Sequence, residues 1–232
     1  MKIMKQKQLN AKENMDLDER RFKEIRPDDD PQLYFYEWEK PSATYGYFIK
    51  PETLFKYSDA LDVARRPTGG GVLFHLWDLS FSVIIPSHHP GYSTDIMLNY
   101  KFINDAVLEA VISTLGRPIS GSLLPVDPVP LNDKTPFFCF AKPTKYDVII
   151  DGKKIAGAAQ RRGQNGYLHQ GSISIAAPSY DFLEKILHPE VQVTEAMKLN
   201  TYYFLSAPSQ SEFLDAQASL KNALTKALQE RK

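Results

Sequence analysis

Apolar and polar positions change rhythm several times along the 232 residues, and each change predicts an element. Residues 11–26, "AKENMDLDERRFKEIR", read as a helix with little apolar surface. A loop through "PDDDP" leads into "QLYFYEW", a strand with Leu33 and Phe35 turned to a core. "SATYGYFI" predicts a second short strand, and "PETLFKYSDALDV" a short helix begun near Pro51. "VLFHLWDLSFSVIIP" holds too many β-branched and aromatic side chains for a helix and reads as strand, turn, strand, with "LSFSVII" the better defined half. From "YSTDIMLNYKF" onward, Ile96, Phe102, Ile103, Val107, Val111 and Ile112 recur at helical spacing up to a stop at Gly116. Residues 117–136 are proline-rich and aperiodic, a candidate mobile cover.

Strict alternation returns in the second half. "VII" enters the turn signal "DG", "KKIAGAAQRR" leaves it, and "NGYLHQGSISI" predicts the next strand of an antiparallel meander. "YDFLEKILHP" reads as a helix, and "SEFLDAQASLKNALTKALQERK" as a terminal helix with Phe213, Leu214, Leu220, Leu224 and Leu228 on its packing stripe. The pattern is α+β, with a mixed or antiparallel sheet flanked by helices and no internal repeat.

Composition narrows the function classes. Hydrophobic residues are 43% and charged residues 24%, a globular balance. Lys plus Arg and Asp plus Glu both number 28, so no general affinity for nucleic acid is implied. A single cysteine excludes a disulfide framework and a thiolate-rich zinc site. The start lacks the apolar core of a secretory signal and no 18-residue apolar run follows, so a cytoplasmic protein without a membrane partner is expected.

Two clusters carry candidate chemistry. Gly69, Gly70 and Gly71 strip the backbone of side chains and open angles closed to other residues. Such a loop presents amides to a carbonyl, a carboxylate or a phosphate, or acts only as a hinge. "RRPTGGG" matches neither the spaced-glycine nucleotide fingerprint nor the phosphate loop ending in Lys and Ser or Thr. Arg65 and Arg66 are candidates for an anionic group or simply a solvated pair; His75 is either catalytic or a core histidine.

The second cluster is "CFAKPTKYDVIIDGKKIAGAAQRRGQNGYLHQG". Cys139 is the only available thiol nucleophile, with an inert core cysteine as the alternative. A lysine from the strand after the "DG" turn would favour its thiolate and steady an acyl carbonyl becoming oxyanionic. Lys153 and Lys154 point to opposite faces of that strand, so one enters a site, and spacing leaves open which. His169 either lines a site or closes a turn. His88 and His89 lack a ligand pattern, so no metal site is expected.

"RRPTGGGVLFH", then "DGKKIAGAAQRR" and "LHQGSI", preceded by "ENMDLDE" and "LYFYEWEKPSATYGYF", occur in an order that resembles the lipoate–protein ligase and octanoyltransferase family of the biotin/lipoate ligase superfamily. The likeness runs from about residue 12 to 190. It implies a biotin/lipoate ligase-like catalytic domain spanning 1–232, without a C-terminal accessory domain, that holds a medium-chain acyl group in a tunnel. Gly69, Gly70 and Gly71 would lie along the acyl group or its activating moiety. Lys154 corresponds to the family lysine before "IAG" and would contact the acyl carbonyl. Arg65, Arg66, His75, Gly157, Ala158, Gln160 and His169 fall in the matching segments, as acyl- or acyl-adenylate-binding positions. The implied acceptor is a lysine of a lipoyl carrier domain, such as the glycine cleavage H protein or a 2-oxoacid dehydrogenase subunit.

The family divides by mechanism. Ligases use ATP and Mg²⁺ to make an acyl-adenylate and need no cysteine; octanoyltransferases take the acyl group from octanoyl-acyl carrier protein through a cysteine thioester and need no cofactor. "HLWDLSFS" and "CFAKPTKYDV" are closer to the transferases, and Cys139 precedes Lys154 at the spacing they use. The intact "GGG" and Leu76 after the histidine depart from the transferase pattern. Biotin ligation fits these motifs less well, and a non-catalytic lipoyl-domain-binding protein is the reading outside enzymology.

Overall fold

The computed structural model describes residues 1–56, 59–126, 143–189 and 193–231. In chain order the strands are β1 (Lys2–Ile3), β2 (Gln8–Leu9), β3 (Gln32–Phe35), β4 (Glu37–Trp38), β5 (Ser42–Tyr45), β6 (Asp62–Arg65), β7 (Leu73–His75) and β8 (Asp78–Pro86). After them come β9 (Gly121–Leu123), β10 (Val148–Ile150), β11 (Lys153–Arg162) and β12 (Gly166–Ser174). The helices are α1 (Ala11–Glu24), α2 (Ile96–Leu115), α3 (Tyr180–Ile186), α4 (Val193–Asn200) and α5 (Gln210–Gln229). A seven-stranded sheet runs β1-β3-β8-β12-β11-β10-β9, antiparallel except for β1 against β3. A three-stranded sheet, β6-β5-β7, and a β2-β4 pair complete the β structure of the described residues. The expected α+β architecture is therefore the one observed.

Alternation along β8 and β12 gives the large sheet two different faces. Leu79, Phe81, Val83 and Ile85 share one face with Tyr167 and Ile173, and pack into the main core with Ile103, Val107 and Val111 of α2 and Leu220 and Leu224 of α5. The other face presents Asp78, Ser80, Ser82, Gln170, Ser172 and Ser174, all buried. α1 and the three-stranded sheet cover that polar face.

Local chemistry sets the ends of these elements. Asn10 and Glu13 form a capping box at the start of α1, and Asp62 of β6 accepts from the Ala11 amide at 2.6 Å. Gly116 adopts a left-handed conformation that stops α2. Asp151 and Gly152 both take positive φ, 48° and 79°, in the two-residue turn joining β10 to β11.

Three expectations are corrected. The described residues of 51–63 form a 3-10 turn at Pro51–Thr53 and the start of β6, because the apolar residues Leu54, Leu61 and Val63 pack beside α3 and α4 rather than on one helical stripe. α1, poor in apolar surface, is nonetheless buried through polar side chains: Asn14 and Arg21 donate to Glu37 O and Gln32 of the strands, and Asp18 accepts from Ser82 and Gln170. Ile96 and Ile112 are exposed at the rim of the α2 stripe. Within 117–136, Gly121–Leu123 form an edge strand, and 127–136 lie outside the described residues. Among the described residues no helix is long and apolar enough to cross a membrane.

Candidate active site

The polar face of the large sheet floors a narrow cleft, with about 20 Å³ of free volume, whose walls include Lys154, Gly157, Ala159, Arg66, His75 and Met15. Lys154 is almost fully buried, and its Nζ meets Asp147 Oδ2 at 2.6 Å. Lys153, its neighbour on β11, points to solvent with Nζ 3.2 Å from the Lys198 carbonyl. Of the two lysines, Lys154 is the one that enters this cleft.

Asp147 sits just before β10, and the β10–β11 hairpin carries it across to Lys154. Burial raises the pKa of its carboxyl, while the Lys154 ammonium and hydrogen bonds from the Thr144 amide and hydroxyl pull it back. A Cβ on Gly157 would stand 2.6 Å from Lys154 Nζ and 2.8 Å from Asp147 Oδ1, so only glycine leaves room for this buried pair. Ala159 continues the small-residue floor along β11.

The glycine loop is clamped from within. Arg66 Nη2 donates to the carbonyls of Gly69 (2.8 Å) and Gly71 (2.7 Å), and Nη1 donates to Thr44 O and Oγ1, both at 2.9 Å. Those four bonds use its four terminal N–H groups. Arg66 is therefore a clamp on the loop rather than a cation offered to an anion, which corrects one expectation for this residue. Gly70 adopts φ 86°, and Gly46 packs so closely that a Cβ there would lie 2.0 Å from Gly70 O. Gly69 has open space before it for at least 4 Å. The loop is a rigid piece of bare backbone facing outward. Arg65 lies on the opposite side of β6, exposed, with its guanidinium 5.1 Å from the Tyr47 ring centre.

His75 is buried and stacked on Trp38 at 4.2 Å. Thr44 Oγ1, which accepts from Arg66, is hydrogen-bonded to His75 Nε2 at 2.8 Å. On the other side of the ring, Nδ1 meets Ser80 Oγ at 2.8 Å and Asp78 Oδ2 at 3.2 Å. Ser80 and Ser172 both donate to Asp78 Oδ2 at 2.6 Å. A chain of hydrogen bonds thus joins the glycine-loop clamp to the sheet floor.

Deeper under α1, the buried Asp18 carboxylate accepts from Tyr36 Oη, from Ser82 Oγ at 2.8 Å, from Gln170 Nε2 at 3.0 Å and from Arg21 at 3.2 Å. Burial raises the pKa of Asp18, opposed by Arg21 and these hydrogen bonds, and burial beside Asp18 holds Tyr36 well above its ordinary range. Thr68, next to the glycine loop, donates to Gln170 Oε1 at 2.7 Å.

His169 and Gln160 do not join this cleft. They face each other across β11 and β12 on the helix-covered side, where Gln160 Nε2 donates to His169 Nδ1 at 2.7 Å between Phe81 and Tyr100. The sequence left the facing of "LHQG" undecided, and strand alternation with Tyr167 and Ile173 in the core decides it. Gly157 and Ala158 do line the cleft. Cys139 lies outside the described residues. Met15, Thr44, Gly46, Asp147 and Gln170 are site residues that sequence reasoning missed; of these, only Asp147 carried a signal, an acid opening the strand that pairs with "KKIAG". No group of three or more His, Cys, Asp or Glu placed to hold a metal occurs among the described residues.

A family described as the lipoyl protein ligase A/B catalytic domain matches residues 10–201. The octanoyltransferase LipM of Bacillus cereus is 31% identical over 174 residues, covering 72% of this chain and 62% of its own length. LipM of Bacillus subtilis is 30% identical over 178 residues, 73% and 63% of the two chains. The chain thus spans less than two thirds of the length of these curated relatives. A lipoate-protein ligase A bound with ATP shares the fold with a TM-score of 0.70 at 24% identity, covering 98% of this chain and 85% of that one. A bipartite lipoate protein ligase from Thermoplasma acidophilum, described with its E2 lipoyl domain, shares it at 0.68 and 24%, with 98% and 82% covered.

Proposed function

The chain belongs to the lipoyl protein ligase A/B catalytic-domain family, and from that premise we propose that it transfers an octanoyl group to a lysine of a lipoyl carrier domain through a thioester on Cys139. The observation that carries the proposal is the buried Lys154–Asp147 pair, with Lys154 lining a cleft beside Arg66, the clamp of the glycine loop. An ammonium held at a fixed point in a cleft is suited to a carbonyl oxygen gaining charge. The small floor of Gly157 and Ala159 is suited to an apolar chain.

The Cys139 thiolate attacks the octanoyl thioester of an acyl carrier protein; a new C–S bond forms, and the carrier thiolate leaves and takes up a proton. The lipoyl-domain lysine, arriving as the neutral amine, then attacks the acyl-enzyme. An amide forms, the nitrogen loses a proton, and the Cys139 thiolate is regenerated. Lys154 donates a hydrogen bond to the acyl oxygen in both steps. The second reading is ATP-dependent ligation through an acyl-adenylate with Mg²⁺ supplied alongside ATP, and the intact glycine loop with open space before Gly69 favours it. Against it, the Arg66 guanidinium is spent on carbonyls.

The test is the intact mass of the protein after incubation with octanoyl-acyl carrier protein in the absence of ATP. One octanoyl group, absent in Cys139→Ala and discharged onto a lipoyl domain, is the expected result. Transfer of octanoate or lipoate that requires ATP and Mg²⁺ and survives Cys139→Ala would replace the thioester with the adenylate. Binding of a lipoyl domain with no transfer by either route would leave a carrier-binding protein instead of an enzyme.

A further inference from the structure

Met15 and Arg66 line two cavities at once. One is the Lys154 cleft; the other is an outer basin of about 490 Å³ bordered by the charged side chains of Lys12, Asp16, Glu19, Arg65 and Arg161. The two spaces back onto each other with these two side chains as the shared wall. Arg66 is fixed by its four bonds to Thr44 and the glycine loop. Met15 is held only by packing and by a contact from Gln170 Nε2 to its sulfur at 3.4 Å. An unbranched thioether is the adaptable part of such a wall.

The position of Met15 along the cleft follows from the pairing of α1 with β11. Glu19 meets Arg161 at 3.6 Å, and Phe22 packs on Gly163, so helix and strand run side by side in the same direction. One turn back from Glu19 is ~6 Å, and two residues back from Arg161 is ~6.6 Å, which sets Met15 beside Ala159. Lys154 Nζ reaches forward over Gly157, where an added Cβ would stand 2.6 Å from it, and Gly157 lies two residues before Ala159, ~6.6 Å along the strand. A chain whose carbonyl rests at Lys154 and whose tail follows Gly157 and Ala159 therefore ends at Met15. Beyond that wall the surroundings turn from apolar to charged.

We propose that Met15 is the end wall of the acyl channel and sets the length of chain the protein accepts. The inference rests on the acyl-transfer reading above. Removing the wall joins the cleft to the basin and lets a longer chain pass; enlarging it shortens the channel. Gln170, itself fixed by Asp18, Tyr36 and Thr68, keeps the sulfur in place.

The test compares hexanoyl-, octanoyl-, decanoyl- and dodecanoyl-acyl carrier proteins as donors to a lipoyl domain, with calorimetric binding of free octanoate and dodecanoate alongside. Met15→Ala is expected to raise the dodecanoyl-to-octanoyl rate ratio about tenfold or more, and Met15→Phe to lower octanoyl relative to hexanoyl transfer by a similar factor. Met15→Phe decides alone if Met15→Ala does not fold. Folded variants that keep the wild-type ratios and binding order would overturn the end wall. A wild-type protein that transfers no acyl group from any donor, with or without ATP, overturns the transfer reading instead, and the order of fatty-acid binding then judges Met15 by itself. Wild-type protein that transfers no acyl group and binds neither fatty acid overturns both.

Discussion

The two faces of the seven-stranded sheet are built from the same strands and are equally buried, yet they do different work. Toward α2 and α5, β8 and β12 send Leu79, Phe81, Val83, Ile85, Tyr167 and Ile173 into a continuous apolar core. Toward α1 and the small sheet, the alternate positions send Asp78, Ser80, Ser82, Gln170 and Ser172 into a hydrogen-bonded layer. The apolar face gains stability from area removed from water, with little demand on exact placement. The polar face pays for every buried group unless each finds its partner, and the partners it finds fix the Lys154 cleft and the glycine loop in position. Burial is common to both; positional precision belongs to one.

The largest expected effect tests whether the apolar face is separable from the site. Leu220→Ala removes a fully buried side chain of α5. Unfolding free energy from chemical denaturation should fall by about 3–5 kcal/mol, while the protein that stays folded keeps its transfer rate. A matching loss of turnover in the folded fraction would show that the two faces are coupled.

Lys154→Ala is the reciprocal change on the polar face. Transfer measured in a single turnover should drop about a hundredfold or more, about 3 kcal/mol in the barrier, as for other lost oxyanion donors. Circular dichroism should report an intact fold. The variant also strands the buried Asp147 carboxyl, whose pKa burial already raises, so the same protein should gain stability as pH is lowered into the carboxylate range, where Asp147 takes up a proton. Normal turnover would remove Lys154 from the site.

One residue breaks the division between the faces. His169 is a titratable group on the apolar side, with Nε2 and the facing Gln160 Oε1 both lacking a partner among the described residues. Burial lowers its pKa to about 3. The unfolded chain takes up a proton near its ordinary value of 6.5, and the native state does not until about 3, so between those values stability rises with pH and is lost on acidification. From pH 7 to pH 5 this single group should remove about 2 kcal/mol. His169→Leu should flatten that part of the pH–stability curve; a curve of unchanged slope would mean that His169 charges without cost where it sits.

Much of this contrast was legible in the sequence, and its gaps have physical causes. The alternation in "LSFSVII" and "GYLHQGSIS", the "DG" turn, the stop at Gly116 and the triple glycine all depend on local rules of period and φ, which a short window contains. Burial of α1 was not legible, because Asn14, Asp18 and Arg21 are polar and their partners come from β3, β4, β8 and β12. The Arg66 clamp was hidden in a similar way: its acceptors Gly69 and Gly71 are adjacent, but the fit also needs Thr44 and Gly46 from another strand. Adjacent charges in a sequence name a chemistry, and only the fold decides whether that chemistry is turned inward.

The smallest expected effect bears on how the polar face fixes the loop. Thr44 is the link between Arg66 and His75, its hydroxyl accepting from the guanidinium and hydrogen-bonded to Nε2 of the ring. Thr44→Val keeps the shape and removes both bonds, but Arg66 retains Thr44 O, Gly69 O and Gly71 O, and His75 retains Ser80. The stability cost should therefore be about 2 kcal/mol, since one Arg66 N–H and His75 Nε2 each lose a partner. If the hydroxyl only stabilises, transfer by the folded protein is unchanged. If it holds the glycine loop in register with Lys154, transfer falls further than stability does, and Thr44→Ser restores it by returning the hydroxyl without the methyl group. The second outcome is expected, because the clamp bonds the loop through backbone carbonyls, and a freed guanidinium edge lets Gly69 shift relative to a sheet floor that stays where the apolar face holds it.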